Sequence, residues 1–203
     1  MIQRPWWQKR LSELWLKKNV IWLSGVRRVG KTELCRSIPD SRYLDCELPS
    51  TRRELEDPEA FLKSAGAGPL VLDEIHRLDD PALVLKIAAD HFPELRIVAT
   101  GSSTLGASAK FRDSLAGRKA ELWLTPLCEA DEAFPGYADR NRRFLCGGLP
   151  GFFLSETRDD REYSEWMEAF WARDILELFR LERRSSFLKF AELLLAQSGG
   201  RFE

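Results

Sequence analysis

The stretch Val20-Ile21-Trp22-Leu23-Ser24-Gly25-Val26-Arg27-Arg28-Val29-Gly30-Lys31-Thr32 decides the fold. Its first four residues are apolar without interruption, which predicts a buried strand. The next segment, Gly25–Thr32, matches G-x-x-x-x-G-K-[ST], and Lys31–Ile38 reads as a helix stopped by Pro39. Strand, glycine loop and helix in that order make a phosphate cradle. Glycines let backbone N–H groups curl around a phosphate, and the helix N-terminus adds partial positive charge. The candidate contacts with ATP are Gly25, Val26, Arg27, Arg28, Val29, Gly30, Lys31, Thr32 and the adjoining Glu33. Lys31 reaches the β- and γ-phosphates, and the Thr32 hydroxyl is a ligand for Mg²⁺. A plain glycine turn would explain the glycines but not the strand before them and the helix after.

Downstream, the same alternation repeats. Arg42–Leu48, Pro69–Ile75, Leu95–Thr100 and Lys119–Leu127 read as strands. Helices are expected at Gln8–Lys18, from Asp57 to Ser64, at Pro81–Phe92 and at Leu105–Leu115. Strands that are apolar throughout and separated by helices indicate a parallel sheet covered on both faces. After Pro126 the pattern changes: Cys128–Phe134, Asp139–Cys146, Asp160–Phe179 and Ser185–Gln197 look helical. The expected organisation is therefore an α/β core over residues 1–127 and a small helical subdomain over 128–203.

The second chemical signal is Leu70-Val71-Leu72-Asp73-Glu74, an apolar strand that ends in two carboxylates. Asp73 is placed to hold the water shell of Mg²⁺ opposite Thr32, and Glu74 to polarise an attacking water as general base. An acidic pair that merely ends a strand is common; the loop upstream is what raises this one above that reading. Ile97-Val98-Ala99-Thr100-Gly101-Ser102-Ser103 is a further strand with hydroxyls at its end. Ser102, with Thr100 as second choice, is a candidate for touching the γ-phosphate or the lytic water, against a turn that only caps the next helix. Arg118, just before the last strand, is a candidate phosphate contact within the molecule or across to a neighbour, against a solvated arginine.

The remaining signals are plainer. Trp6-Trp7 is a core pair or a surface on which adenine stacks. His76 and His91 stand apart and make no metal site. Arg140-Asn141-Arg142-Arg143 and Arg180–Arg184 read as solvated helix faces, with DNA phosphates as the alternative. A net charge of −1 gives no global pull toward nucleic acid or anionic membrane. Cys35, Cys46, Cys128 and Cys146 lack paired or metal-like spacing and are expected to be reduced thiols of a cytoplasmic protein. No apolar run approaches a membrane helix, and Met1–Arg10 does not resemble a secretion signal.

Taken together, GVRRVGKT, VLDEIHR, TGSS, SLAGR before ELWLTPL, GGLPG and the opening IQRPWW resemble the AAA-type P-loop ATPases of bacteria and archaea that carry a C-terminal domain of unknown function. The resemblance implies an additional-strand P-loop NTPase fold, a parallel sheet of about five strands in the order 5-1-4-3-2, and a helical subdomain from about Cys128. Gly147-Gly148-Leu149-Pro150-Gly151 is similar to the glycine-x-proline element of STAND-type switch ATPases, which implies that Pro150 sits against the nucleotide. Otherwise that segment is a loop between helices. Members of the family continue into a winged-helix segment and a second large domain, whereas this sequence stops at Glu203.

Two functions follow from these expectations. One is Mg-dependent ATP hydrolysis, with Glu74 as base, Lys31 and Arg118 on developing phosphate charge, and a coupled conformational change. The other is a slow ATP/ADP-gated switch that recruits a protein or DNA partner. A homo-oligomer is compatible with both.

Overall fold

The computed structural model describes residues 3–102, 105–106, 108–157, 159–175 and 184–197. Five strands form one sheet: β1 Val20–Ser24, β2 Arg42–Asp45, β3 Leu70–Asp73, β4 Ile97–Thr100 and β5 Lys119–Trp123. Their order is β2-β3-β4-β1-β5, and every adjacent pair is parallel. This is the expected order 5-1-4-3-2 seen from the other edge. Val20, Ile21, Leu23, Val71, Leu72, Ile97, Val98 and Ala99 are each fully buried, as central strands covered on both faces require. The two edge strands are less buried, and β5 leaves Trp123 half-exposed.

Helix starts follow from local chemistry. Asp57 and Asp80 each precede a proline and accept from the backbone N–H three residues on, Ala60 and Leu83, at 3.0 Å. They begin α4 (Pro58–Ser64) and α5 (Pro81–His91). The amino-terminal helix α1 spans Pro5–Trp15, starting earlier than the periodicity suggests because Pro5 fits a first turn. α2 is Lys31–Arg36, and α3, Pro49–Glu54, is a short helix that the sequence reading assigned to no element. α6 spans Ala109–Ser114 and is capped by Ser108.

Beyond β5 there is no further strand among the described residues. Cys128–Phe134 holds only a short 3₁₀ turn at Glu129–Asp131, followed by α7 (Arg140–Cys146) and α8 (Pro150–Leu154). These residues pack with the sheet: by contacts, one compact unit runs through Asp159 and a second begins at Asp160. The packing boundary thus lies about thirty residues beyond the expected 128. Leu127, Phe134 and Phe153 form a small apolar cluster in that stretch, and a buried ion pair ties its start to the amino end. Arg4 donates through Nε and Nη2 to both oxygens of Asp131 at 2.7 Å, with side chains 5% and 1% exposed. Trp7 Nε1 and the Cys128 N–H, each 3.1 Å away, also donate to the carboxylate, and the Cys128 thiol lies 3.7 Å from it. Trp7 is therefore core, and only Trp6 keeps an exposed ring.

The second unit contains α9 (Asp160–Phe170), which continues as a π-helical turn at Trp171–Ile175, and α10 (Arg184–Ala196). Tyr163, Trp166 and Phe170 stack along α9 with ring centroids 5.9 and 5.3 Å apart. Most of the basic run 180–184 lies outside the described residues. In the other run, Arg142 donates to the carbonyls of Phe153 at 2.7 Å and Ser155 at 2.9 Å, and Arg143 lies over the Tyr137 ring. Two of its three guanidinia are thus turned into their own fold.

Candidate nucleotide site

The phosphate loop joins the buried end of β1 to α2, and two glycines set its path. Gly25 has φ +147°, and a Cβ there would lie 2.4 Å from the Leu124 carbonyl oxygen. Gly30 has φ +98° and is the residue before α2. Both are conformations that L side chains rarely adopt. Arg28, with φ +62°, takes a left-handed position at the exposed tip. The loop is braced from outside: Arg4 Nη1 donates to the Val29 carbonyl at 3.2 Å and Nη2 to that of Thr125 at 3.0 Å. Pro150, at the start of α8, stands about van der Waals distance from where a Gly30 Cβ would be, 4.0 Å. The GGLPG element thus meets the loop.

Within the loop, Lys31 Nζ donates to the Gly25 carbonyl at 2.9 Å and to that of Val26 at 3.2 Å. The ammonium is held inside the curve of backbone. Thr32 and Glu33 occupy the first turn of α2, and Glu33 is exposed. The Thr32 hydroxyl donates to Asp73 Oδ2 at 2.9 Å, which brings together two residues 41 positions apart.

Asp73 is only 3% exposed, and a buried carboxylate needs hydrogen bonds. Among the described residues it receives three hydroxyls. Besides Thr32, Tyr43 donates to Oδ2 at 2.6 Å, and Thr100 donates to Oδ1. Thr100 Oγ1 in turn accepts from the Glu74 N–H at 3.0 Å, which links the two acidic residues. The hydroxyl of the β4 end that reaches the acids is therefore Thr100. Ser102 Oγ accepts from the Leu105 N–H at 3.2 Å.

Glu74 itself is left-handed, φ 54° and ψ 42°. Its carboxylate lies 3.1 Å from His76 Nδ1, off the line of a well-aligned hydrogen bond. That imidazole, with Lys31 and Arg77 further off, holds the carboxyl below its usual range despite partial burial. Cys35 and Cys46 are buried near the site with thiol pKa values pushed up by that burial, Cys46 to about 12, so both stay protonated.

Arg118 is far from this cluster. Lys119 stands opposite Val20 and Trp123 opposite Ser24 in the parallel register. Arg118 is thus at the start of the strands, about 13 Å or more along the sheet from the loop at their ends. A contact with a nucleotide in its own chain does not fit that position. Its guanidinium bonds Asp90 at 2.7 Å.

The donor chemistry suits Mg²⁺. Hydroxyl and carboxylate oxygens are hard ligands, and Mg²⁺ is usually held by one or two protein oxygens together with substrate phosphates and water. Among the described residues no group of three or more His, Cys, Asp or Glu side chains forms a metal cage.

A family model described as an AAA domain matches residues 17–131. This chain belongs to that family of P-loop ATPases. Among solved structures it is similar to the Walker-type ATPase of Pyrococcus abyssi, with 20% identity and a TM-score of 0.58, over 98% of this chain and 80% of that one. It is also similar to a signal transduction ATPase with numerous domains, bearing a tetratricopeptide repeat sensor, from Pyrococcus horikoshii. There the identity is 14% and the TM-score 0.52, over 81% of this AAA chain and 32% of that one. None of the curated proteins matches the sequence. The matched residues include the loop Gly25–Thr32 and all five strands. No described helix of this AAA chain is long and apolar enough to cross a membrane.

Three contacts were not read from the sequence: Tyr43 and Thr100 on Asp73, and Arg4 behind the loop. Each is a contact between strands or segments far apart in the chain.

Proposed function

We propose that this AAA domain binds ATP with Mg²⁺ and hydrolyses the β–γ anhydride, with a conformational change coupled to the nucleotide state. The observation that carries the reading is the Thr32–Asp73 hydrogen bond beside a lysine held inside the loop. In this reading the loop N–H groups and Lys31 take the phosphates, and Thr32 and Asp73 hold Mg²⁺ directly and through water. The ion, once bound, neutralises charge developing on the phosphoryl oxygens. Glu74 accepts the proton of the attacking water at its carboxylate. Arg118 acts on a neighbouring subunit's phosphates.

One observation favours slow turnover and hence the switch alternative. A general base works best with a pKa near the working pH, whereas His76 holds the Glu74 carboxyl low. Pro150 against Gly30 offers a route by which the state of the loop reaches the segment after the sheet, where a protein or DNA partner would read it. The test is calorimetric titration of ATP and Mg²⁺ into the wild type and Lys31→Ala, with phosphate release followed in parallel. Binding that disappears in the variant is expected; undiminished affinity would overturn the site.

A further inference from the structure

Tyr43 belongs to no phosphate loop and no acidic strand end, yet its hydroxyl makes the shorter of the two hydrogen bonds that Asp73 Oδ2 receives, 2.6 against 2.9 Å. We propose that Tyr43 is a positioning residue for the metal: it fixes the rotation of the Asp73 carboxylate so that the remaining acceptor site faces a water bound to Mg²⁺. This rests on the proposed ATP and Mg²⁺ reading and names a further residue of that site.

The argument begins with acceptor capacity. An ionised carboxylate offers about four lone-pair sites. Thr32 and Tyr43 take two on Oδ2, and Thr100 takes one on Oδ1. One remains, on Oδ1, which suits a single water in the metal's shell better than direct ligation through both oxygens. Thr32 can keep donating its hydrogen to Oδ2 while a lone pair of its oxygen serves the metal. The two donors on Oδ2 thus define the plane in which the last acceptor site lies.

Tyr43 is itself held. The Arg36 guanidinium stacks over its ring at 5.0 Å, and Arg36 stands four residues after Thr32 in α2, on the same side of the helix. The ring is caught between the helix that carries Thr32 and the strand that carries Asp73. Four elements, α2, β2, β3 and β4, therefore converge on one carboxylate through three hydroxyls. A tyrosine that only satisfied a buried acid would need no such support from the phosphate-loop helix.

Tyr43→Phe removes one oxygen and separates the two roles. ADP affinity is measured by titration with a fluorescent analogue, once with Mg²⁺ and once in EDTA. The ratio of the two affinities should fall roughly tenfold in the variant, the effect of losing a hydrogen bond to a charged group, while the EDTA value is unchanged. Mn²⁺ bound in the nucleotide complex, counted by electron paramagnetic resonance, should weaken by the same factor. An unchanged ratio overturns the proposal. So does an equal loss with and without metal, or a variant that fails to fold, because either makes Tyr43 structural only. A wild type whose ADP affinity ignores Mg²⁺ removes the metal reading and this proposal together.

Discussion

Arg118 donates through Nε to Asp90 Oδ1 at 2.7 Å, at the end of the sheet opposite the phosphate loop. From that position we predict that the guanidinium serves a neighbouring molecule's nucleotide. Specific ATPase activity should then rise with protein concentration, and Arg118→Ala should stay low at every concentration. Mixing Arg118→Ala with Glu74→Gln should restore activity, since one interface then pairs an intact base with an intact arginine; arginines supplied in trans give about 10³–10⁵-fold in GTPases. Phosphate release across a dilution series is the measurement, and a flat profile without rescue would make Arg118 a surface residue.

The same pair sets a pH dependence. Arg118 holds the Asp90 carboxyl below its ordinary value. A carboxyl with a lowered folded pKa contributes stability above its unfolded value, about 3.9, and loses it as pH falls through the lower folded value. The difference in urea midpoint between wild type and Asp90→Asn should be constant from neutral pH to about 4 and close in stronger acid. It should be small throughout, because the pair is exposed to solvent.

Glu74→Gln should bind ATP and Mg²⁺ normally and hydrolyse it about 10²–10⁴-fold more slowly. His76→Ala should move turnover the other way, releasing the carboxylate 3.1 Å from the imidazole toward the water and toward an ordinary pKa. Single-turnover hydrolysis in both variants checks the pair. A His76→Ala enzyme slower than wild type would mean that the imidazole holds the base in place rather than holding it back.

How much of this was legible in the sequence depends on how far each signal reaches. The loop and the acidic strand end are local: spacing alone puts Lys31 and Thr32 at a helix start and Asp73 at a strand end. The strand order came from the family resemblance, because apolar runs do not state their neighbours. Tyr43 and Thr100 become visible only once that order is known. In the parallel register Tyr43 stands opposite Val71, so alternation puts it on the face that Asp73, two residues on, also uses. Thr100 follows Ala99, the partner of Leu72, and so falls beside Asp73. Thr100 thus meets Asp73 through burial beside the acid, a contact that the hydroxyl run at the strand end does not state by itself. The Arg4–Asp131 pair spans 127 residues, and nothing in an arginine near the amino end announces it.

That pair also carries a stability prediction. Arg4→Met should cost about 3–5 kcal/mol by leaving Asp131 buried without its counter-charge. Adding Asp131→Leu should recover part of the loss, as apolar replacement of both partners often does. Chemical denaturation of the two variants measures this. A single variant as stable as wild type would show that water reaches the site.

Because Arg4 also grips the Val29 carbonyl, the place where this domain can be trimmed is not where its strands begin. A piece cut at residues 17–131 would retain all five strands, the loop and Asp131. It would have discarded Arg4 and Trp7, leaving Asp131 without its counter-charge and the Val29 carbonyl without its guanidinium. Minimal fragments chosen by sheet boundaries should therefore come out insoluble or loop-disordered, and those that keep Arg4 should not.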